Sequence, residues 1–507
     1  MKKRKTGYIV YAILTILLFF AGILGDYALK WAVAQFGKVP FDQIVFHLKV
    51  PLAGTDSNIL SEFITGFLRK SLVYVIGVIL VITAGTVLFY RAKDVITFTF
   101  IKFKIKLQKL LKWLTILGGA ALLITDIVRA FDFFSLGEYI KNISKSTQIY
   151  EEYYVDAGEA GITFPEDKKN LLYIFLESME TTYADDANGG AWGETNLIPN
   201  LTELAYENED FSTGVLGGGY NTTGATWTVG AMVAETAGIP LSIPVDVNSY
   251  GKYSSFLPGA TTLGDILADE GYNQMLMIGS ASSFGGRSNY FSQHGNYDIF
   301  DLYTARKEGF IPSDYKVFWG YEDIKLFEFA KTKITELASQ DEPFNFTMLT
   351  VDTHFPSGYR CEECGYEHST QMENAIACSD RQVAMFVEWI KEQDFYEDTV
   401  IVIAGDHVNM ASAIEKAVGE DYERKVYFTV INSDTTRETD TDRVFTTMDI
   451  FPTTLASLGC EIEGDRLGLG TNLYSDTQTL VEIMGIDALN VEMGSSSGFY
   501  SDNILEK

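Results

Sequence analysis

Basic residues are scarce in this chain of 507 residues, in which 39 Lys and Arg residues stand against 68 Asp and Glu residues and give a formal net charge of −29. Nucleic-acid binding depends on Lys and Arg side chains that displace counterions from phosphates, so this balance argues against a nucleic-acid partner. The chain also has only four cysteines and five histidines. With 47% hydrophobic and 21% charged residues, its composition differs from that of disordered, collagen-like and coiled-coil proteins.

The few basic residues are concentrated near the N-terminus. Residues 1–134 contain 17 basic and 7 acidic residues, a net charge of +10, whereas residues 135–507 contain 22 basic and 61 acidic residues, a net charge of −39. The long apolar runs also lie in the first part. The sequence therefore predicts a membrane domain over residues 1–134 joined to a large acidic globular part, and it excludes a wholly cytosolic soluble enzyme.

Three segments of the membrane domain are candidate transmembrane helices. A bilayer core of about 30 Å requires about 20 mostly apolar residues per helix, and residues 7–25 and 71–90 meet this requirement without a charged residue. The third segment, 113–134, is less apolar because it contains Asp126 and Arg129, whose spacing places them on one helix face and would allow them to pair. The first segment is long for a signal peptide and lacks a clear cleavage site, which favours an uncleaved anchor.

Basic residues beside the spans predict the orientation in the membrane. Lys2, Lys3, Arg4 and Lys5 precede the first span, and seven basic residues lie within residues 91–112, between the second and third spans. Cytoplasmic loops carry the excess of Lys and Arg. We therefore predict a multi-pass protein of the cell membrane with a cytoplasmic N-terminus and an extracytoplasmic domain after about residue 135.

The extracytoplasmic part has the pattern of an α/β domain. Short runs that are apolar on both faces are typical of buried parallel strands, and they occur at residues 170–177, 273–279, 344–352, 398–406 and 426–432. Segments of helical spacing lie between them, at 263–270, 324–339 and 379–393. This alternation predicts a mostly parallel central sheet flanked by helices. We assign residues 135–169 to a linker helix and connection, 170–475 to the globular domain, and 476–507 to a C-terminal tail.

The four cysteines all belong to the extracytoplasmic part, at positions 361, 364, 378 and 460. Cys361 and Cys364 have the spacing of a zinc ribbon, but no second pair completes such a site. A disulfide is favoured outside the cytoplasm. We predict the pair Cys361–Cys378, although spacing alone leaves the connectivity open.

Polar side chains follow three of the predicted strands where each strand ends. Glu177 ends the first strand, Asp352 ends the strand at 344–352 and His354 lies two residues later, and Asp406 ends the strand at 398–406 with His407 directly after it. Ligands of such sheets bind beyond the carboxyl ends of the strands. Carboxylates and an imidazole at one sheet edge form a mixed oxygen and nitrogen site that suits Mn²⁺, Zn²⁺ or Mg²⁺. We therefore predict a divalent metal site there rather than a simple loop cap.

A second unusual segment, residues 217–232 (GGGYNTTGATWTVGAM), is rich in glycine and threonine. A threonine hydroxyl at a helix N-terminus can be a nucleophile if a metal lowers its pKa and backbone N–H groups receive a phosphate. An ordinary glycine-rich turn with a threonine cap is the alternative interpretation.

Together these residues resemble the alkaline phosphatase/sulfatase superfamily. The segments NLLYIFLES (170–178), TTGATWTVGAM (222–232), GGRSNYF (285–291), DTHFP (352–356) and AGDH (404–407) occur in the order of that superfamily. Within it they look like the MdoB-like phosphoglycerol transferases and, more distantly, the lipoteichoic acid synthases. The resemblance covers about residues 150–475, and the threonine segment and RLGLG (466–470) are its more specific parts.

The resemblance implies a role for each matching residue. The metal ligands would be Glu177, Thr226, Asp406 and His407. Thr226 would also be the nucleophile, with Thr228 and Thr223 as alternatives. The pocket would be completed by Arg287, which would grip the phosphate or glycerol of a lipid headgroup, and by Asp352 and His354, of which His354 would hold phosphate oxygens or protonate the leaving alkoxide.

The activity implied by the resemblance is transfer of glycerophosphate from phosphatidylglycerol. Thr226 would attack the lipid with the help of one divalent metal, Mn²⁺ in the first place and Mg²⁺ or Zn²⁺ as alternatives, and would release diacylglycerol. The glycerophospho-threonine would then react with a hydroxyl group of a cell-envelope glycan or a teichoic-acid-type acceptor. Gly285 stands where the lipoteichoic acid synthases carry a Trp, two residues before Arg287, which favours a single transfer over polymerisation.

Other functions compete with this one. A sulfatase would need a Cys or Ser in a C/S-x-P-x-R motif, which this sequence lacks. A phosphoethanolamine transferase, or a lipid phosphodiesterase with water as the acceptor, would use the same metal ligands and stays open. A catalytically inactive binding protein is disfavoured because every residue of the implied metal site is present.

Overall fold

The computed structural model describes residues 2–36, 40–49, 57–91, 97–100, 103–242, 255–419 and 421–506. The chain forms two compact units, Met1–Val39 with Asp56–Gly137 and Pro40–Thr55 with Glu138–Lys507. The second unit thus includes a short segment that lies, in the chain, between two membrane helices. Residues 92–96 and 101–102 of the basic loop used to predict the orientation lie outside the described residues.

The N-terminal part of the chain is largely helical. Its elements are α1 (Lys2–Phe36), α2 (Phe41–Lys49), α3 (Ser57–Arg91), β1 (Thr97–Phe100), β2 (Phe103–Lys106) and α4 (Leu107–Phe133). Three stretches are long and apolar enough to cross a membrane, Thr6–Gln35, Phe63–Leu88 and Leu107–Phe133. They include most of each predicted span, so the three long apolar helices are confirmed as candidate membrane spans.

Arg129 takes a different partner from the one that its helical spacing would allow. Arg129 of α4 pairs with Asp26 of α1, with Nη1 and Oδ1 3.3 Å apart, and not with Asp126. Asp26 also pairs with Lys30, four residues further along α1. Helical spacing indicated that Asp126 could reach Arg129, but it carried no information about the neighbouring helix that supplies Asp26.

The strands of the second unit form one main sheet and several short pairs. They are β3 (Ile162–Thr163), β4 (Asn170–Leu176), β5 (Gly219–Tyr220), β6 (Asn273–Ile278), β7 (Asp298–Phe300), β8 (Phe344–Leu349), β9 (Thr399–Gly405), β10 (Phe428–Ile431), β11 (Phe445–Thr446), β12 (Glu461–Ile462), β13 (Arg466–Leu467) and β14 (Gly470–Thr471). The main sheet has the order β10-β9-β4-β8-β6-β7. Its pairings are parallel except for β10 with β9. The predicted mostly parallel sheet is confirmed.

Further helices follow α4 in the chain. They are α5 (Leu136–Ile143), α6 (Ile149–Tyr153), α7 (Pro199–Glu207), α8 (Thr228–Ala237), α9 (Leu263–Asp269), α10 (Arg287–Gln293), α11 (Leu302–Lys307), α12 (Asp323–Ala338), α13 (Gln371–Lys391), α14 (Ser412–Val418), α15 (Ile450–Ser457), α16 (Leu480–Met484) and α17 (Ile486–Met493). The side chains of residues 171–176 in the central strand β4 are fully buried, because helices cover both faces of the sheet. Helix α13 begins eight residues before its predicted start because Thr370 and Glu373 form a capping box there.

The C-terminal segment is not a tail, contrary to the prediction. It forms α16, α17 and a π-helical turn at Tyr500–Leu505. Leu480, Leu489, Met493 and Ile504 are buried in the main hydrophobic core. Residues 476–507 therefore belong to the folded domain.

The predicted disulfide is also wrong. Cys364 is bonded to Cys378, with a Cα–Cα distance of 5.1 Å, whereas Cys361 and Cys460 are free and buried. The sulfur of Cys361 lies 3.5 Å from that of Cys364 and 3.9 Å from that of Cys378. Three sulfurs converge at this place, and sequence spacing alone could not select the bonded pair.

Candidate active site

The register of the main sheet brings two carboxylates together. Leu176 of β4 is paired with Gly405 of the neighbouring parallel strand β9. The next residues, Glu177 and Asp406, therefore leave the same edge of the sheet side by side, and His407 follows directly. These three side chains are almost completely buried.

The three side chains form one compact cluster. Ligand atoms of Glu177, Asp406 and His407 all lie within 4.8 Å of one another. His407 Nε2 is 3.7 Å from Glu177 Oε1 and 3.5 Å from Asp406 Oδ2. Burial, and then the charge of Glu177, raises the pKa of Asp406 to about 7. Burial opposes the protonation of His407, but the charges of Asp406 and Glu177 outweigh it and raise the pKa of the imidazole.

Neighbouring groups orient the cluster and leave its inner atoms available. Asp406 Oδ1 accepts hydrogen bonds from the backbone N–H groups of Ser178 and His407, at 2.7 and 2.8 Å. Asp406 Oδ2 is buried and has no hydrogen-bond partner among the described residues. His407 donates from Nδ1 to the carbonyl of Val408 at 3.0 Å, which directs Nε2 toward the carboxylates.

The residues of this cluster fit a divalent cation. Two buried carboxylates, one of them with an unpartnered oxygen, are costly without a compensating positive charge. Carboxylate oxygens with an imidazole nitrogen are the donor set of Mn²⁺ and Zn²⁺ sites. Glu177, Asp406 and His407 would hold the ion, as predicted.

Thr228, rather than Thr226, lies against the cluster. The Oγ1 atom of Thr228 is 3.4 Å from Glu177 Oε2 and 3.5 Å from His407 Nε2. Thr228 is the first residue of α8, so its hydroxyl also lies at a helix N-terminus. Thr226 Oγ1 is buried and has no hydrogen-bond partner among the described residues. The geometry favours Thr228 as the fourth ligand, and the assignment to Thr226 stays a prediction.

The segment before α8 is held in place from two sides. Asn221 donates to the carbonyl of Asp406 at 3.0 Å and accepts from the N–H of Val408 at 3.0 Å, which ties the threonine segment to the loop that carries Asp406 and His407. Asn490 of α17 accepts from the N–H of Thr223 at 2.8 Å. Gly224 has a φ of +86°, which favours glycine over other residues in this tight turn.

Arg287 lies near the carboxylates but is largely committed to its own surroundings. It is buried at the start of α10, where Nε donates to the carbonyl of Phe284 and Nη2 donates to Ser280 Oγ and to the carbonyl of Ala281. Burial lowers the pKa of the guanidinium to about 10, although the charges of Glu177 and Asp406 favour its protonated form. These bonds leave Nη1 for a phosphate, so the predicted role stays a prediction.

Asp352 is occupied by a different partner. It accepts a hydrogen bond from the N–H of Asp323 at 3.1 Å, and its own N–H donates to Asp323 Oδ2 at 2.9 Å. Burial and the charge of Asp323 raise the pKa of Asp352 well above its usual value. These bonds connect Asp352 to Asp323 and not to the cluster, so its role in substrate binding stays a prediction.

His354 lies in an aromatic environment next to the cluster. Its ring centroid is 4.6 Å from that of Trp319 and 4.4 Å from that of Phe355. Nδ1 donates to the carbonyl of Phe355 at 2.8 Å. Burial, and then the positive charge of His407, lowers the pKa of His354 to about 4, although the bond to Phe355 opposes this shift. The ring is therefore neutral at pH 7, and Nε2 carries a lone pair.

Three residues that shape the site were not predicted from the sequence. Ser178 donates to Glu177 Oε1 at 2.7 Å, Asn221 links the two loops, and Asn490 reaches the threonine segment from the C-terminal helix. Asn221 stands within the predicted segment and could have been named with it. Asn490 is 267 positions away from Thr223, and no sequence pattern near Asn490 indicates that it contacts the site.

The fold and the buried cluster define a member of the sulfatase family. The Sulfatase family model matches residues 169–460, and the chain belongs to that family. Curated relatives named phosphoglycerol transferase I confirm the resemblance within it. The protein from Salmonella choleraesuis is 33% identical over 334 residues, which are 64% of this chain and 41% of that protein. A protein from Escherichia coli is 32% identical over 362 residues, 69% of this chain and 44% of the relative.

The chain thus spans less than half the length of these curated relatives. Among solved structures, the lipoteichoic acid synthase LtaP from Listeria monocytogenes is similar with a TM-score of 0.45 and 18% sequence identity. The match covers 62% of this chain and 79% of that one.

Proposed function

We propose that this protein is a membrane-anchored transferase that moves glycerophosphate from phosphatidylglycerol to a hydroxyl group of a cell-envelope glycan or teichoic-acid-type acceptor. The observation that carries the proposal is the position of Thr228. Its hydroxyl lies at the N-terminus of α8 and within 3.5 Å of both Glu177 and His407. The curated relatives named phosphoglycerol transferase I support the choice of headgroup.

The first half-reaction transfers glycerophosphate to Thr228. Glu177, Asp406 and His407, with Thr228, would hold one divalent ion, Mn²⁺ in the first place, which when bound would lower the pKa of the threonine hydroxyl and offset negative charge on the phosphate. The Oγ1 atom of Thr228 forms a bond to phosphorus, and the bond from phosphorus to the diacylglycerol oxygen breaks. The proton of the threonine hydroxyl is passed to the leaving alkoxide. Arg287 contributes positive charge beside the phosphate.

The second half-reaction regenerates the threonine. An acceptor hydroxyl attacks phosphorus, the bond to Thr228 breaks, and the acceptor proton is passed to the threonine oxygen. His354 suits the transfer of these protons because its ring is neutral and Nε2 can accept one. Both half-reactions have the same geometry, so one site serves two displacements.

The test uses the full-length protein in detergent with fluorescent phosphatidylglycerol and Mn²⁺. We expect metal-dependent release of fluorescent diacylglycerol, lost on chelation and reduced by a factor on the order of 10³ or more in Thr228→Ala, since removal of a nucleophile has effects of this size. Thr226→Ala is the matched control and should retain activity within about tenfold.

Other outcomes lead to other functions. Release from phosphatidylethanolamine alone would replace the proposal by phosphoethanolamine transfer. Free glycerol phosphate formed as fast as diacylglycerol, without an acceptor, would identify a phosphodiesterase. Equal loss in both threonine variants would contradict the assignment of Thr228.

A further inference from the structure

Helix α2 belongs to the catalytic unit although it lies between two membrane helices in the chain. Residues Pro40–Thr55 are part of the same compact unit as Glu138–Lys507. Phe46 of α2 is only 1% exposed, and its ring centroid lies 5.5 Å from that of Trp227. Trp227 is the N-cap residue of α8 and directly precedes Thr228. Helix α2 therefore packs against the residue next to the proposed nucleophile.

Two polar side chains of α2 reach the loops that build the site. Gln43 Nε2 donates to Met410 Sδ at 3.4 Å, and Met410 follows the metal-binding His407 by three residues. Burial raises the pKa of the Asp42 carboxyl group, and hydrogen bonds from backbone N–H groups, including that of Gly224, oppose this shift. Helix α2 is thus in contact with the threonine segment and with the metal-binding loop.

These two side chains also have acceptor atoms that nothing satisfies. Among the described residues, Asp42 Oδ2 and Gln43 Oε1 are buried and have no hydrogen-bond partner. A buried polar atom without a partner costs about 1–3 kcal/mol, and most such atoms in folded proteins are paired. Two of them on one helical turn, beside the catalytic loops, indicate a ligand that donates hydrogen bonds.

We propose that α2 forms one wall of the donor pocket, in which Asp42 and Gln43 accept hydrogen bonds from the hydroxyl groups of the glycerol headgroup. This inference rests on the proposed function and names the residues that recognise its substrate. A carboxylate oxygen and an amide oxygen are acceptors, and the free hydroxyls of glycerol are the donors that complement them. Phe46 is the positioning residue that holds α2 against Trp227.

The test compares two small phosphates that differ only in their hydroxyl groups. Full-length protein with Mn²⁺ is titrated calorimetrically with glycerol phosphate and with n-propyl phosphate. The wild type should bind glycerol phosphate more tightly. Gln43→Ala should weaken the binding of glycerol phosphate by about tenfold, because a site that loses one hydrogen-bond acceptor distinguishes less well between a ligand with hydroxyl groups and one without them. Its affinity for propyl phosphate should stay within about twofold of the wild type.

A second glutamine provides the matched control. Gln382 Oε1 is also buried without a hydrogen-bond partner among the described residues, but it belongs to the cysteine cluster, where its Nε2 donates to Cys378 Sγ at 3.3 Å. Gln382→Ala should change neither affinity. An equal loss for both phosphates in Gln43→Ala, or no loss for either, would overturn the inference.

The positioning role of Phe46 needs a different readout. Phe46→Ala should raise the KM for phosphatidylglycerol about tenfold while the kcat for diacylglycerol release changes less, and Phe46→Leu should restore most of the affinity. Phe41→Ala is the control, since the Phe41 ring packs against Tyr139 at 4.9 Å. The calorimetric titrations measure binding without turnover. The headgroup recognition by α2 can therefore fail while the proposed transferase function stands. A wild type that binds both phosphates equally would refute the headgroup recognition alone, whereas one that binds neither would contradict the proposed function as well.

Discussion

At the scale of residues, the candidate site is built around a pair of buried carboxylates, Glu177 and Asp406, with one imidazole beside them. In the absence of a cation the cluster is electrostatically unfavourable. Burial and the charge of Glu177 raise the pKa of Asp406 to about 7, and the charges of both acids outweigh burial and raise the pKa of His407. A group whose pKa is raised on folding stabilises the folded state at low pH, and this stability is lost as the pH rises through the folded-state pKa.

Chelated protein should therefore become less stable between pH 5 and pH 8. We expect its melting temperature to be several degrees lower at pH 8 than at pH 5, and Asp406→Asn to remove most of this difference. Saturating Mn²⁺ should raise the melting temperature of the wild type at pH 8 but not that of Asp406→Asn. Differential scanning fluorimetry in detergent measures both. A chelated wild type with a flat pH profile would contradict the electrostatic account of the cluster.

The proton-transfer role that we propose for His354 gives a second prediction about a single residue. Burial against Trp319 contributes to the low pKa of about 4. Trp319→Ala exposes the imidazole, so the acidic limb of the pH–rate profile at saturating Mn²⁺ should move to higher pH. The measurement is diacylglycerol release from pH 4 to pH 8. A limb that stays in place while the rate falls uniformly would show that Trp319 serves only packing.

Individual site residues differ in how far their positions could be predicted. Glu177, Asp406 and His407 follow buried strands directly, and the register of a parallel sheet then brings them together. Thr228 could not be selected in the same way, because it shares a short irregular segment with Thr223 and Thr226. Which hydroxyl faces the carboxylates is determined by the turn at Gly224 and by the start of α8.

At the scale of elements, the C-terminal helices are structural components of the globular domain. Leu489 of α17 is fully buried, whereas Ile483 of α16 is 43% exposed. Leu489→Ala should lower the free energy of unfolding by about 2–5 kcal/mol, as for other buried leucines. Ile483→Ala should cost less than about 1 kcal/mol. Denaturant or thermal unfolding of the two variants compares them directly, and equal effects would contradict the role of α17 in the core.

Strong local patterns were the ones that predicted elements correctly. The sequences of strands β4, β6, β8, β9 and β10 are largely apolar on both faces. This local pattern identifies a buried strand whatever its neighbours in the fold are. Strand β7 has only three residues, too few for a pattern. The burial of α16 and α17 depends on residues far away in the chain, such as Thr223, which bonds to Asn490.

For the whole molecule, the position of α2 constrains the topology. Because residues 40–55 and 138–507 form one compact unit, we expect both to lie on the same side of the membrane. In the chain, the membrane helices α3 and α4 separate these two segments. If α3 and α4 each cross the membrane once, residues 138–507 return to the side of residues 40–55. This holds whichever side the N-terminus is on. The basic residues before α1 and between α3 and α4 then favour the cytoplasm for the opposite side.

Cysteine labelling in intact cells distinguishes the two sides. The four native cysteines are at most 7% exposed and should give little background with a membrane-impermeant maleimide. Tyr366 in the catalytic domain is 78% exposed, and Lys109 at the start of α4 is also exposed. We expect Tyr366→Cys to be labelled in intact cells and Lys109→Cys only after permeabilisation. The reverse result would place the catalytic domain in the cytoplasm, whereas labelling of both in intact cells would mean that they lie on one side and that the chain does not cross at α4.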